Sequence, residues 1–144
     1  MQALIASGEI GVDALLFTDL TDVRWLTGFT GSNGWVVVRS GGTTLGTDTR
    51  YGDRAEAETQ GSGVEIVALQ NRASLQDSMI EAAGSGEVGI DGRSVSQAVW
   101  SRLAVDLKLA SVDSLVATAR ETKDDAEIER IEAAAEAADA ALAE

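Results

Sequence analysis

Apolar and polar positions alternate along this chain in two rhythms. Compact apolar runs bounded by glycine or polar residues have the length of strands, and apolar residues spaced three or four apart have the period of helices. The clearest run is Trp35-Val36-Val37-Val38-Arg39, where consecutive β-branched residues predict a strand. It lies inside the stretch LTGFTGSNGWVVVRSGGTTLGTDTRY, from Leu26 to Tyr51. There a loop punctuated by Gly28, Gly31 and Gly34 carries Phe29 into the strand. Ser40-Gly41-Gly42 predicts a hairpin turn in which glycine supplies positive φ, and Thr43-Thr44-Leu45 predicts the returning strand. Thr47-Asp48-Thr49-Arg50-Tyr51 closes the stretch with a cluster able to read a small polar ligand.

The flanking pattern continues the alternation. Met1 to Ser7 predicts a short helix with Leu4 and Ile5 on its apolar side, and Asp13 to Phe17 a short buried strand. Thr21-Asp22 can start a helical segment that Gly28 stops. Asp48 or Thr49 can cap a helix from Arg50 to about Thr59, with Tyr51 and Ala55 facing inward. Val64 to Val67 predicts a strand. Ser74 and Asp77 resemble a capping box for a helix whose Leu75, Met79 and Ala83 share one face, closed by Gly84. Glu87 to Asp91 predicts another strand; Ser94 and Gln97 resemble a second capping box, followed by Val95, Val99, Leu103 and Leu107 at helical spacing. Ala110 to Leu115 is a weaker strand pattern. Strands alternating with helices after an early hairpin predict an α/β layer fold with a mixed β-sheet flanked by helices.

The tail differs. From Asp124 onward Ile128, Ile131, Ala135, Ala138 and Leu142 fall at helical spacing, and the opposite face is acidic. A helix with so lean an apolar face takes most of its stability from a partner surface. The pattern reaches Glu144 with no stop signal, so the chain is expected to be the front part of a longer protein.

Composition narrows the chemistry. A length of 144 residues suits one domain able to bury ~70% of the surface its unfolded chain exposes. The net charge of −13 argues against nucleic-acid binding, which needs clustered Lys and Arg. Much of that charge belongs to the tail, where eight acids from Asp124 to Glu144 face one base, Arg130. No run approaches the roughly 18 apolar residues of a membrane span, and no leader pattern opens the chain, so a cytoplasmic protein without membrane attachment is expected. Cysteine and histidine are both absent. Disulfides, thiolate metal sites, imidazole bases and Ser-His or Cys-His nucleophiles are thereby excluded. Any chemistry must use carboxylates, Lys, Arg, Tyr or hydroxyls.

Four segments in register resemble the N-terminal domain of the creatinase, prolidase and aminopeptidase P group of peptidases. They are Trp25 to Gly34 with its Phe-Thr-Gly-Ser core, Thr47 to Tyr51, the Gly89-Ile90-Asp91 strand followed by a segment carrying Trp100, and Arg120 to Ile128. The last is similar to the junction that opens the catalytic domain in that group. The resemblance implies a ribonuclease H-like mixed sheet for residues 1–120, with residues 121–144 as the junction and first helix of a "pita-bread" catalytic domain. It also implies that the parent enzyme hydrolyses the peptide bond before proline with water activated by two divalent metals, commonly manganese. Their ligands would lie downstream, so no metal or catalytic residue is assigned in this chain, which is expected to be inactive alone. The N-terminal domain of such enzymes shapes the site and supports a homodimer. The arginine of the Asp-x-Arg-Tyr segment contacts the peptide in relatives, so Arg50, Tyr51 and Phe29 are the expected substrate-binding residues.

Plainer readings stand beside these. Arg50 could pair with Asp53 on its own helix, worth only ~0.5 kcal/mol. Asp48 suits an N-cap, with orientation of Arg50 as a second role. Trp35 and Trp100 suit core packing, whereas Trp25 and Phe29 suit anchors of a loop near a dimer interface or site mouth. The glycine spacing fits neither the Rossmann nor the P-loop pattern. Two other functions remain open at this point: a free-standing binding or assembly module with the same fold, and a nuclease with magnesium held by Asp48, Asp53 and Asp91.

Overall fold

The computed structural model describes residues 1–142; Glu144, counted among the tail acids, lies outside the described residues. The first compact unit runs from Met1 to Asp113. Its elements, in chain order, are α1 (Gln2–Ser7), β1 (Ala14–Phe17), α2 (Leu20–Thr27), β2 (Gly34–Arg39), β3 (Gly42–Asp48), a 3-10 turn (Thr49–Tyr51), α3 (Gly52–Glu58), β4 (Val64–Leu69), α4 (Arg72–Ala83), β5 (Glu87–Ile90), α5 (Gln97–Leu103) and β6 (Lys108–Ser111).

The strands form one mixed sheet in the order β4-β3-β2-β1-β5-β6. Antiparallel pairing joins β2 to β1 and to β3, while the remaining pairs are parallel. Every strand except β2 therefore runs the same way, and the carboxyl ends of β3, β4, β1, β5 and β6 gather at one edge. Because β1 and β2 are covered on both faces, their sequences read as continuous apolar runs and not as alternations. Ala14, Leu16, Trp35, Val37, Val88 and Ile90 join Leu75, Met79 and Ala83 of α4 and Leu103 of α5 in one core cluster. Trp100 packs partly buried against it. On β3, Gly46 lies directly against α4. A Cβ there would lie 2.4 Å from Met79 Sδ and 2.9 Å from Leu75 Cδ1.

The predicted strands and helices are present, with corrections at their ends. The weak strand expected over Ala110 to Leu115 lies earlier, as β6, and Leu115 enters a helix. Helix α2 is capped not by Thr21-Asp22 but by Asp19, whose carboxylate accepts from the N–H groups of Thr21 and Asp22. Asn71 caps α4 by accepting from Ser74 N, so Ser74 lies within the first turn instead of preceding it. Likewise Ser96 caps α5, because Ser94 is held in the preceding turn through its N–H and hydroxyl on Asp91 O.

The hairpin corrects a physical reason. Ser40 and Gly41 connect the Arg39↔Gly42 pair, yet neither they nor Gly42 has positive φ. Glycine's special backbone freedom is unused there, and a Cβ on Gly41 would meet nothing within 4 Å. Gly41→Ala is therefore expected to raise stability by about 0.4–1 kcal/mol by restricting the unfolded chain. A higher denaturant midpoint at unchanged slope is the measurement.

A second unit begins at Ser114. It contains α6 (Leu115–Ala119) and α7 (Asp125–Leu142). Asp124 and Glu127 exchange backbone and side-chain hydrogen bonds at the start of α7, a reciprocal cap. Ile128, Ile131 and Leu142 are exposed on that helix.

Candidate functional site

The polar cluster expected from Thr47 to Tyr51 is built where β3 ends. Asp48 is extended at φ −88° and ψ 160°, and its side chain caps the 3-10 turn by accepting from Arg50 N at 3.1 Å. The same carboxylate holds the Arg50 side chain in a fork. Nε donates to Oδ1 and Nη2 to Oδ2, both at 2.9 Å. Asn33 Nδ2 also donates to Asp48 Oδ2 at 3.0 Å, and Thr47 Oγ1 donates to Asn33 O at 2.6 Å, tying the preceding loop to β3. The hydrogen bonds from Arg50, then that from Asn33, hold the Asp48 carboxyl well below the usual carboxylate range.

Asp48 thus fills both roles expected of it, cap and orienting group. The alternative pairing of Arg50 with Asp53 is not formed. Its i,i+3 spacing presumes one continuous α-helix, whereas Arg50 lies in a 3-10 turn and α3 starts only at Gly52. A guanidinium has five N–H donors, and the fork engages two of them. The Arg50 side chain is 77% exposed, beside a shallow depression of about 290 Å³ lined by Asn33, Asp48, Thr49, Arg50 and Gln70. Outward-facing donors on a group already neutralised by its carboxylate suit a carbonyl or carboxylate oxygen.

Tyr51 connects this rim to the core. Its ring lies under the guanidinium, with Arg50 Cζ 5.6 Å from the centroid, and its hydroxyl meets Ser32 Oγ at 2.7 Å. The Ser32 bond lowers the Tyr51 phenol from its ordinary value. Phe29 packs edge-on to Tyr51, with centroids 6.0 Å apart. Phe29 itself is only 1% exposed. The structure places it below the rim, packed edge-on against Tyr51.

Two of the three loop glycines explain that placement. Gly28 takes φ 79° as the C-cap of α2. At Gly31 an added Cβ would lie 2.1 Å from Phe29 Cζ, and at Gly34 3.1 Å from Phe29 Cε1. The loop is glycine-rich because it wraps an aromatic ring closely. Trp25, the other expected anchor, is exposed on α2, and Trp35 is buried in the core.

A second network holds the loop from its far side. Thr30 donates its N–H to Glu58 Oε2 at 2.7 Å and its hydroxyl to Oε1 at 2.6 Å, while Arg54 Nε donates to Oε1 at 2.9 Å. Arg54 Nη2 also reaches Thr30 Oγ1. The bonds from Thr30, then that from Arg54, lower the Glu58 carboxyl from 4.5 to about 2. A depressed carboxyl contributes above its unfolded value and is lost as pH falls through its folded one. Protection of the Thr30 amide from hydrogen exchange should thus persist to about pH 3 and fall near pH 2. Glu58→Gln should speed that exchange several-fold at neutral pH. Unchanged exchange in the variant would mean that the loop is held by Phe29 alone.

Asp48, Asp53 and Asp91 are not brought together as the magnesium reading requires. Asp48 pairs with Arg50, and Asp91 pairs with Arg93 beyond the end of β5. Among the described residues no group of three or more His, Cys, Asp or Glu could hold a metal ion. A divalent metal pair therefore has no ligand set among the described residues.

Comparisons with known proteins agree with the fold. The profile of the Creatinase/Prolidase N-terminal domain matches residues 4–122. The chain is 32% identical over 143 residues to the uncharacterized peptidase YqhT of Bacillus subtilis (strain 168), covering 94% of this chain and 39% of that protein. It thus spans well under half the length of that curated relative. The N-terminal domain of the cytoplasmic peptidase PepQ from Mycobacterium tuberculosis H37Rv superposes with a TM-score of 0.66 at 31% identity, over 81% of this chain and 92% of that one. The X-Pro aminopeptidase from Thermotoga maritima MSB8 gives 0.78 at 25% identity, over 95% of this chain and 41% of that one.

Proposed function

The chain belongs to the creatinase/prolidase N-terminal domain family, and from that membership we propose that it is the non-catalytic N-terminal domain of an Xaa-Pro metallopeptidase. Residues 1–120 form the domain in this reading, and residues 121–144 lead into the catalytic domain. The parent enzyme cleaves the peptide bond before proline in the cytoplasm, and the domain shapes its substrate site and supports a dimer. The metals, manganese by preference, are carried by the catalytic domain, and no bond-breaking step is assigned to residues of this chain.

The observation that carries the reading is the Arg50–Asp48 fork, exposed at the sheet edge. A rigid guanidinium whose outer donors are open to solvent can fix a peptide oxygen, a positioning task that needs neither histidine nor metal. Tyr51 forms the wall beside it and Phe29 the support beneath. The names of the Mycobacterium and Thermotoga relatives, a peptidase and an X-Pro aminopeptidase, support the substrate class. The test compares two purified proteins, the 144-residue chain and the full-length parent, in manganese buffer with Xaa-Pro peptides. Hydrolysis by the parent alone is expected. Turnover by the pure isolated chain would overturn the non-catalytic assignment, and an inactive parent would overturn the peptidase one.

A further inference from the structure

The Asp48–Arg50 device occurs twice. At the end of β5, Asp91 accepts from Arg93 N at 2.9 Å, and the Arg93 side chain returns to the same carboxylate through Nε to Oδ1 at 3.4 Å and Nη2 to Oδ2 at 3.3 Å. The atoms are those of the first fork, from the same Asp-x-Arg spacing, and again the guanidinium is largely exposed, at 61%. Capping the turn requires only the aspartate and a backbone N–H. The returning arginine adds nothing to the cap and little to stability, because exposed ion pairs contribute about 0–1 kcal/mol. What it does achieve is to hold a fork of donors in a defined orientation at a strand end.

Topology puts both devices at one edge. Strands β3 and β5 run parallel with β2 and β1 between them, so their carboxyl ends face the same way. That edge is where open α/β sheets bind ligands. Three strand spacings separate β3 from β5, about 14 Å at ~4.8 Å each. The register aligns Leu45 with Val36 and Val36 with Phe17; Leu15↔Gly89, continued by two residues, puts Phe17 level with Asp91. Asp48 therefore lies three residues further along the strand direction, about 10 Å. Measured along the sheet, the two backbone positions are then on the order of 17 Å apart, the length of about five residues of extended chain. The odd offset turns Asp48 and Asp91 to opposite faces, so a peptide joining the two forks crosses the carboxyl-end edge.

We propose that Arg93 is a second specificity-determining anchor, one that takes a backbone oxygen or the terminal carboxylate of an extended peptide already held at Arg50. This rests on the peptidase reading above and adds length selection to it. A dipeptide spans too little to reach both forks; a peptide of about seven residues spans enough. In each fork an aspartate faces the guanidinium, so recognition of an oxygen atom rests on the geometry of the remaining donors.

The test uses the full-length protein and a series Xaa-Pro-(Ala)n from dipeptide to octapeptide. For Arg93→Ala, the ratio of variant to wild-type KM is expected to grow by about tenfold between the shortest and longest peptides, the loss of one charge-assisted hydrogen bond. The kcat should be little affected. Asp91→Asn, which loosens the fork without removing the guanidinium, should reproduce part of the length dependence. A KM ratio independent of length in an active enzyme would overturn the anchor and leave the peptidase reading standing. A wild-type protein that hydrolyses none of the series would overturn both. Thermal midpoints for the two variants within a degree or two of wild type establish that the kinetics report on binding and not on folding.

Discussion

Phe29→Ala is expected to lower the unfolding free energy by about 3–5 kcal/mol, the ordinary cost of emptying a fully buried aromatic site. Phe29 is among the largest fully buried side chains of the protein. Its ring lies against Gly31 and Gly34 and meets Tyr51 edge-on. None of these neighbours can refill the space easily, because two are glycines and Tyr51 is tethered by its hydroxyl to Ser32. The sharper check is a double-mutant cycle with Gly31. Gly31→Ala alone forces a Cβ to 2.1 Å from Phe29 Cζ. It should therefore cost about 1–3 kcal/mol through overpacking. With Phe29 already truncated, the same methyl group enters the vacated space, and most of that cost should vanish. Strictly additive losses would show that glycine is required at this position for its backbone and not for the ring. A Phe29→Ala protein of near-native stability, altered only in substrate KM, would restore the ring to the ligand surface.

The burial of Phe29 shows where sequence patterns inform and where they stop. Elements were legible wherever burial is two-sided or strongly one-sided. Ala14 to Phe17 and Trp35 to Val38 read as strands because both sheet faces are covered, and Leu75, Met79 and Ala83 mark the inward stripe of α4. Helix starts were less legible because several polar residues crowd each one. Choosing Asn71 over Ser74, or Ser96 over Ser94, depends on the preceding turn, which claims the rejected candidate or includes it in the helix. At the site, the Asp48–Arg50 pair was legible because cap and fork come from residues two apart. The Ser32–Tyr51 and Thr30–Glu58 bonds were not, since they join positions 19 and 28 residues apart across a hairpin. Arg54 and Glu58, at i,i+4 spacing, were the one visible sign of the second network. The glycines were visible, but the reason for them was not. A loop that wraps a ring and a loop that lines a site mouth share the same composition, and only the burial of Phe29 separates them.

Arg50→Ala in the full-length protein is expected to reduce kcat/KM for Xaa-Pro peptides by roughly 10–100-fold, the range for losing a hydrogen bond from a charged donor. Stability should hardly change, because the guanidinium is exposed and its pair is a surface one. Asp48→Asn separates orientation from charge. Arg50 keeps its charge there but loses the fork, and an effect approaching that of Arg50→Ala would mean that geometry, more than charge, fixes the substrate. The pH dependence supplies an independent reading. Hydrogen bonds from Arg50 stabilise the ionised Asp48, so its folded value lies well below that of a free aspartate, ~3.9. The fork is therefore complete above that unfolded value and is lost only as pH falls through the lower folded one. Across pH 5 to 8 Asp48 should contribute no limb to the kcat/KM profile, and its carboxyl carbon should show no NMR titration in that range. A titration of Asp48 near pH 4 would mean that the fork is open in solution. In that case Arg50 would reach the substrate as a mobile charge, and Arg50→Lys, which keeps the charge without the fork, should be nearly as active as wild type.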